Sequence, residues 1–103
     1  MILNTEYSVN DVPIRFMEGR WEHIVDKRPY LASYYDRILD AIERPTYVLP
    51  GYNGALIAVA SLARFKYLHV VYREVSLDDG FIVTAYVARS VNKRRAIWRE
   101  DDH

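Results

Sequence analysis

The apolar residues of this chain change their period near its middle, and that change limits the folds open to it. Over residues 30–43, Leu31, Tyr34, Tyr35, Ile38, Leu39 and Ile42 recur at i, i+3, i+4, i+7, i+8 and i+11, the spacing of one face of an α-helix. Pro45 stops the pattern, because a proline inside a helix removes a backbone donor and clashes with the preceding turn. Beyond it the helical period is gone. Residues 67–75 and 81–88 are rich in β-branched and aromatic side chains, which suit a pleated surface, and Leu77-Asp78-Asp79-Gly80 between them reads as a hairpin turn.

The remaining segments fit the same division. Residues 11–17 predict a short strand, with Val12, Ile14 and Phe16 alternating against Pro13 and Arg15; Pro13 places it at an edge or at a strand start. Residues 18–27 predict a helix on the stripe Trp21, Ile24 and Val25. Residues 46–49 predict a short strand, and Pro50-Gly51-Tyr52-Asn53-Gly54 a turn. The apolar run at 55–63 reads as a strand because it lies between a turn and another strand. Two helices followed by three or four strands with short turns predict an α+β domain, its helices packed on one face of a three- to four-stranded antiparallel sheet. The opposite face is then free to be partly wet.

With 103 residues and half of them hydrophobic, the chain has enough for one modest core, placed at about 11–98 with a charged tail after it. No cysteine is present, which excludes disulfides and thiolate–metal sites. The first residues lack the basic and long apolar regions of a signal peptide, and no uncharged apolar run is long enough to span a bilayer, so a cytoplasmic protein with no membrane partner is expected. Basic and acidic residues number 14 each, so net charge gives no argument for a polyanionic partner. Residues 89–99 nevertheless hold Arg89, Lys93, Arg94, Arg95 and Arg99 and no acid. That stretch fits a phosphate ligand, or the acids that follow it.

Several side chains have chemistry to offer. His23 lies off the apolar stripe of its helix, with Arg20 and Lys27 at helical spacing. An imidazole titrates near neutrality and moves protons, and flanking cations suit a phosphate ligand; the same position fits an exposed helix histidine with no role. Arg15 brings a guanidinium, suited to bidentate phosphate binding. Thr84 and Tyr86, two residues apart on one strand face, can hydrogen-bond a phosphate or a ribose hydroxyl, or simply half-bury a strand. If Val75 pairs with Phe81, Tyr72 stands opposite Thr84; a one-residue change puts Arg73 there and flips the faces. No phosphate-cradling glycine loop, HExxH, nucleophile elbow or acid pair at metal spacing is present, so no metal or cofactor is expected. His103, at the end of the chain, is assigned no role.

Taken in order, Val12-Pro13-Ile14-Arg15, Arg20-Trp21-Glu22-His23-Ile24, Arg28-Pro29, Ile42-Glu43-Arg44-Pro45 and Ile82-Val83-Thr84-Ala85-Tyr86 resemble the phage-associated branch of the barnase–EndoU–colicin–RelE class of nucleases. The resemblance implies a small α+β fold and a metal-independent, toxin-type ribonuclease, held in some systems by an antitoxin protein. It implies a site at His23, Arg15, Thr84 and Tyr86. In such an enzyme the ribose 2′-hydroxyl attacks the adjacent phosphate, helped by a base, cations and an acid. His23 is expected as base or acid, Arg15 and Arg28 on the phosphate, Thr84 and Tyr86 as positioning groups. Arg20, Lys93 and Arg94 are expected along the RNA, and Tyr72 stacked on a base. Arg28 stands where the class often has a second histidine in a His-Pro pair; Lys66, His69 and Tyr72 are its possible substitutes as acid. A non-catalytic relative that binds RNA or a protein is the alternative.

Overall fold

The computed structural model describes residues 1–102; His103 lies outside them. Its centre is a seven-stranded mixed sheet in the order β1-β2-β6-β5-β4-β3-β7. The strands are β1 (Ile2–Tyr7), β2 (Pro13–Met17), β3 (Tyr47–Pro50), β4 (Leu56–Ala63), β5 (Lys66–Ser76), β6 (Asp79–Ala88) and β7 (Trp98–Arg99). This corrects the expected three- to four-stranded antiparallel sheet, although the α+β class stands. The strands from β3 to β6 are the expected antiparallel meander. What was missed is that β2 joins them in parallel, through Ile14↔Gly80 and Arg15↔Phe81. It carries β1 with it as an outer antiparallel neighbour. Pairing across more than sixty residues leaves no local mark. β1 is mostly exposed, so it has no clean apolar alternation, and β7 has only two residues, too few for any period.

Pro13 is the first residue of its strand, where a missing N–H does least harm. Gly80 is where β2 and β6 approach most closely: a Cβ there would meet the Arg73 carbonyl oxygen at 2.4 Å and Ile14 Cδ1 at 2.6 Å. Gly80 and Asp79 therefore belong to β6, and the hairpin turn is the tighter Leu77-Asp78 pair between Ser76 and Asp79.

Helix α1 (Glu18–Lys27) has the predicted bounds. The predicted helix at 30–43 divides into a 3₁₀ segment, Pro29–Ser33, and α2 (Tyr35–Glu43). At the junction the Tyr34 N–H donates to the Leu31 carbonyl at 2.9 Å, and the Ile38 N–H to the Tyr34 carbonyl at 2.9 Å, so the ladder changes from i−3 to i−4 without losing its apolar face. Leu31, Ile38, Ala41 and Ile42 reach the core with Val12, Ile14, Phe16, Ile24, Leu68, Val70, Tyr72 and Ile82. Trp21, Phe16 and Tyr35 lock the helices to β2: Phe16 stacks on Tyr35 at 5.4 Å, and Trp21 meets both rings edge-on. Aromatic contacts of this kind add about 0.5–1.5 kcal/mol beyond buried area. After β6 the chain returns past β5 and β4 to pair with β3, where the Ile97 N–H donates to the Val48 carbonyl at 2.8 Å. The segment expected as a charged tail is thus part of the sheet edge. No helix among the described residues is long and apolar enough to cross a membrane.

Candidate functional site

Register decides which side chains share the face opposite the core. Antiparallel pairing sets Tyr47, Val59, His69 and Tyr86 in one row across β3, β4, β5 and β6. Leu49, Ile57, Val71 and Thr84 form the next row. Arg73, Phe81, Arg15 and Thr5 form a third across β5, β6, β2 and β1. The register shift between Val71 and Tyr72 makes Val83 an extra residue in β6, a bulge that leaves Phe81, Thr84 and Tyr86 on the same side. Arg15, Thr84 and Tyr86 therefore do share a face. Both registers considered from the sequence are replaced: Val71 opposes Thr84, and Tyr72 opposes Ile82.

Tyr86 is the centre of a stack. Its ring lies 4.9 Å from the His69 ring at 18°, and the Arg28 guanidinium sits 5.7 Å from its centroid on the helix side. Arg28 reaches it because α1 continues in the direction of β2, along the edge of β6 that β2 leaves free. Burial pushes the Tyr86 phenol up while the Arg28 charge pulls the other way. His69 is 5% exposed, and its Nδ1 lies 3.0 Å from the Tyr67 carbonyl. Burial lowers its pKa, outweighing that hydrogen bond, so the ring is neutral at pH 7, with Nδ1 donating and Nε2 an acceptor. Two buried polar atoms beside this stack have no hydrogen-bond partner among the described residues: Arg28 Nη1 and Thr84 Oγ1. Buried groups of this kind are nearly always satisfied. A cationic N–H and a hydroxyl are together suited to an anionic oxygen.

A cleft of about 570 Å³ continues the face toward the start of α1, lined by Arg15, Met17, Gly19, Arg20 and Phe81. Arg15 is not free there. It donates to both Asp79 carboxylate oxygens, from Nε at 2.8 Å and Nη2 at 3.2 Å. Arg20 is exposed at the rim. Phe81 is half-buried between the cleft and Thr84. From Phe81 to Tyr86 the strip runs roughly 15 Å along the strand.

The other predicted residues divide. His23 is exposed on α1, three residues beyond Arg20, and makes no hydrogen bond or ion pair among the described residues. Tyr72 is 1% exposed on the core face, and burial, then the Glu74 charge, push its pKa up. It cannot stack a base; alternation along β5 turns it inward. Lys93 lies 5.9 Å over the Tyr47 ring, at the far end of the Tyr86 row, about 14 Å away by strand spacing. Arg94 is exposed beside it. Lys66 sits over Tyr34 at 5.5 Å, apart from the stack. His69, Phe81 and Asp79 were not singled out as site residues; only hairpin register places them, and no local motif signals register. Among the described residues no three histidine or acidic side chains gather as a metal site. No family model, curated protein or solved structure matches this chain.

Proposed function

We propose that the chain is a metal-independent endoribonuclease that takes single-stranded RNA along the strip between α1 and β6. The observation that carries the RNA-binding half is the pair of buried, unpartnered groups flanking Tyr86, Arg28 Nη1 and Thr84 Oγ1. A phosphate oxygen would satisfy both, and a charge-assisted hydrogen bond is about twice as strong as a neutral one. Phe81 and Tyr86 offer rings for bases, which stack regardless of sequence, and Arg20 adds a cation at the entrance. Cleavage rests on the resemblance and on His23, whose exposed imidazole follows Arg20 on the same helix. It removes the 2′-hydroxyl proton or protonates the leaving 5′-oxygen; Arg28 stabilises the phosphate charge, and Thr84 and Tyr86 hold it. Arg15, held by Asp79, serves through position rather than as a free cation. A toxin role, restrained by an antitoxin protein in the cytoplasm, belongs to the same proposal.

The test is incubation of the purified protein with single-stranded RNA in excess chelator. The expected products end in 2′,3′-cyclic phosphate and are lost in His23→Ala. Cleavage undiminished in that variant removes His23 from the mechanism, and failure to bind RNA at low salt ends the proposal. A second reading, binding without cleavage, is favoured by Arg28 in place of a second histidine and by the Arg15–Asp79 pair; intact RNA that is retained and released by salt would support it. Induced expression that leaves growth unchanged would count against the toxin role alone.

A further inference from the structure

The open edge of β1 carries a different kind of site. Ile2–Tyr7 is the outermost strand of the sheet. It carries one charge, Glu6, and neither lysine nor proline, so it lacks the usual protections of an exposed edge. The outward amides are identified by their bonds. The Thr5 N–H donates to the Asn4 side chain at 3.2 Å, and the Tyr7 N–H to the Glu6 carboxylate at 3.1 Å, each an exposed contact with the adjacent residue. These amides face away from β2, whose ladder uses the alternate residues.

We propose that β1 is a homodimerisation edge: two copies pair β1 against β1, antiparallel, about a two-fold axis at Thr5. The outward amides admit this register and it is self-complementary. Thr5 faces its own copy and exchanges two backbone hydrogen bonds, while Leu3 and Tyr7 pair with Tyr7 and Leu3 of the second copy. Asn4 and Glu6, at the closely spaced positions between, then stand opposite Glu6 and Asn4. Each amide meets a carboxylate, and no two charges of one sign are opposed. Tyr7, 55% exposed in the single chain, gains an apolar neighbour. A closed two-fold contact adds one partner and stops, as an isologous interface must. The ladder is short, so the dimer is weak, with a dissociation constant of roughly micromolar order. The inference is independent of the ribonuclease reading, because β1 lies outside the strip.

Analytical ultracentrifugation across a concentration series tests it. The wild-type chain is expected to shift from monomer to dimer, with Thr5 and Tyr7 amide exchange slowing as dimer forms. Asn4→Asp keeps the side-chain oxygen that caps Thr5 but sets carboxylate against carboxylate twice, and should weaken the dimer about tenfold or more. Adding Glu6→Gln exchanges amide and carboxylate and should restore it. Thr5→Pro removes two central donors and spares the β1–β2 ladder; it should be monomeric, and if it fails to fold the Asn4→Asp pair of variants still decides. A wild-type chain that remains monomeric near millimolar concentration overturns the proposal. So does a dimer indifferent to Asn4→Asp, which would have another interface.

Discussion

Thr84→Val should make this protein more stable and worse at binding RNA. The two side chains have nearly the same shape, and valine is at home in a strand, so the change isolates the hydroxyl. Thr84 Oγ1 is buried without a partner, and leaving such a group unsatisfied costs about 1–3 kcal/mol. Its removal should therefore raise the unfolding free energy by about 1–2 kcal/mol. In a domain near this size that is a rise in Tm of roughly 4–8 °C per kcal/mol. Urea melts should show a higher midpoint with an unchanged m-value. If the hydroxyl donates to a phosphate oxygen in the complex, the same variant loses a hydrogen bond to a charged group, about 1.5–3 kcal/mol. That is a tenfold to hundredfold weaker Kd for single-stranded RNA, measured by anisotropy at fixed salt. A stability that falls by 1 kcal/mol or more would show that the hydroxyl has a partner in the folded chain and refute the reasoning. Unchanged RNA affinity would remove Thr84 from the site.

Gly80→Ala should cost about 2–3 kcal/mol or more in urea melts, because the new methyl meets a backbone carbonyl and Ile14, and a carbonyl in a ladder cannot step aside. A variant within 0.5 kcal/mol of wild type would mean that β2 and β6 separate easily. The lowered pKa of His69 means the folded state binds fewer protons than the unfolded one, so stability rises with pH in that range. The contribution is complete above the ordinary histidine value of 6.5 and is lost as pH falls from there through the folded-state value. His69→Gln should flatten that part of the stability profile, and an unchanged slope would refute the assignment. Asp79→Asn should free Arg15: because the pair is partly solvent-exposed, stability should change by under about 1 kcal/mol, while the log–log salt dependence of RNA binding should steepen by nearly one phosphate contact. No change in slope would place Arg15 off the RNA path.

The accuracy of the sequence reading followed the range of the interaction responsible for each element. Helix α1 and the meander from β3 to β6 are set by local period and turn residues, and they were legible. The 30–43 helix was legible as an apolar face, not as a 3₁₀ segment joined to an α-helix, because Leu31 reaches the core in either conformation. Among the site residues, Arg15, Thr84 and Tyr86 came out on one face, as expected. Tyr72 did not, since a bulge at Val83 and the register it sets cannot be read from composition. Arg28 was weighed as a departure from a histidine, yet its place beside Tyr86 follows from the path of α1 along a strand edge that the sequence never marks.

By itself, the sequence determined the change from helical to strand period, the absence of cysteine chemistry and the polar groups on offer, because each of these is a property of neighbours in the chain or of composition. Only the tertiary structure decided that β2 enters the sheet in parallel beside β6, that β1 becomes an open edge, and that Arg28, Tyr86 and His69 stack while Tyr72 turns inward. Those outcomes depend on register and on pairing between distant segments, where a slip of one residue exchanges the two faces of a strand.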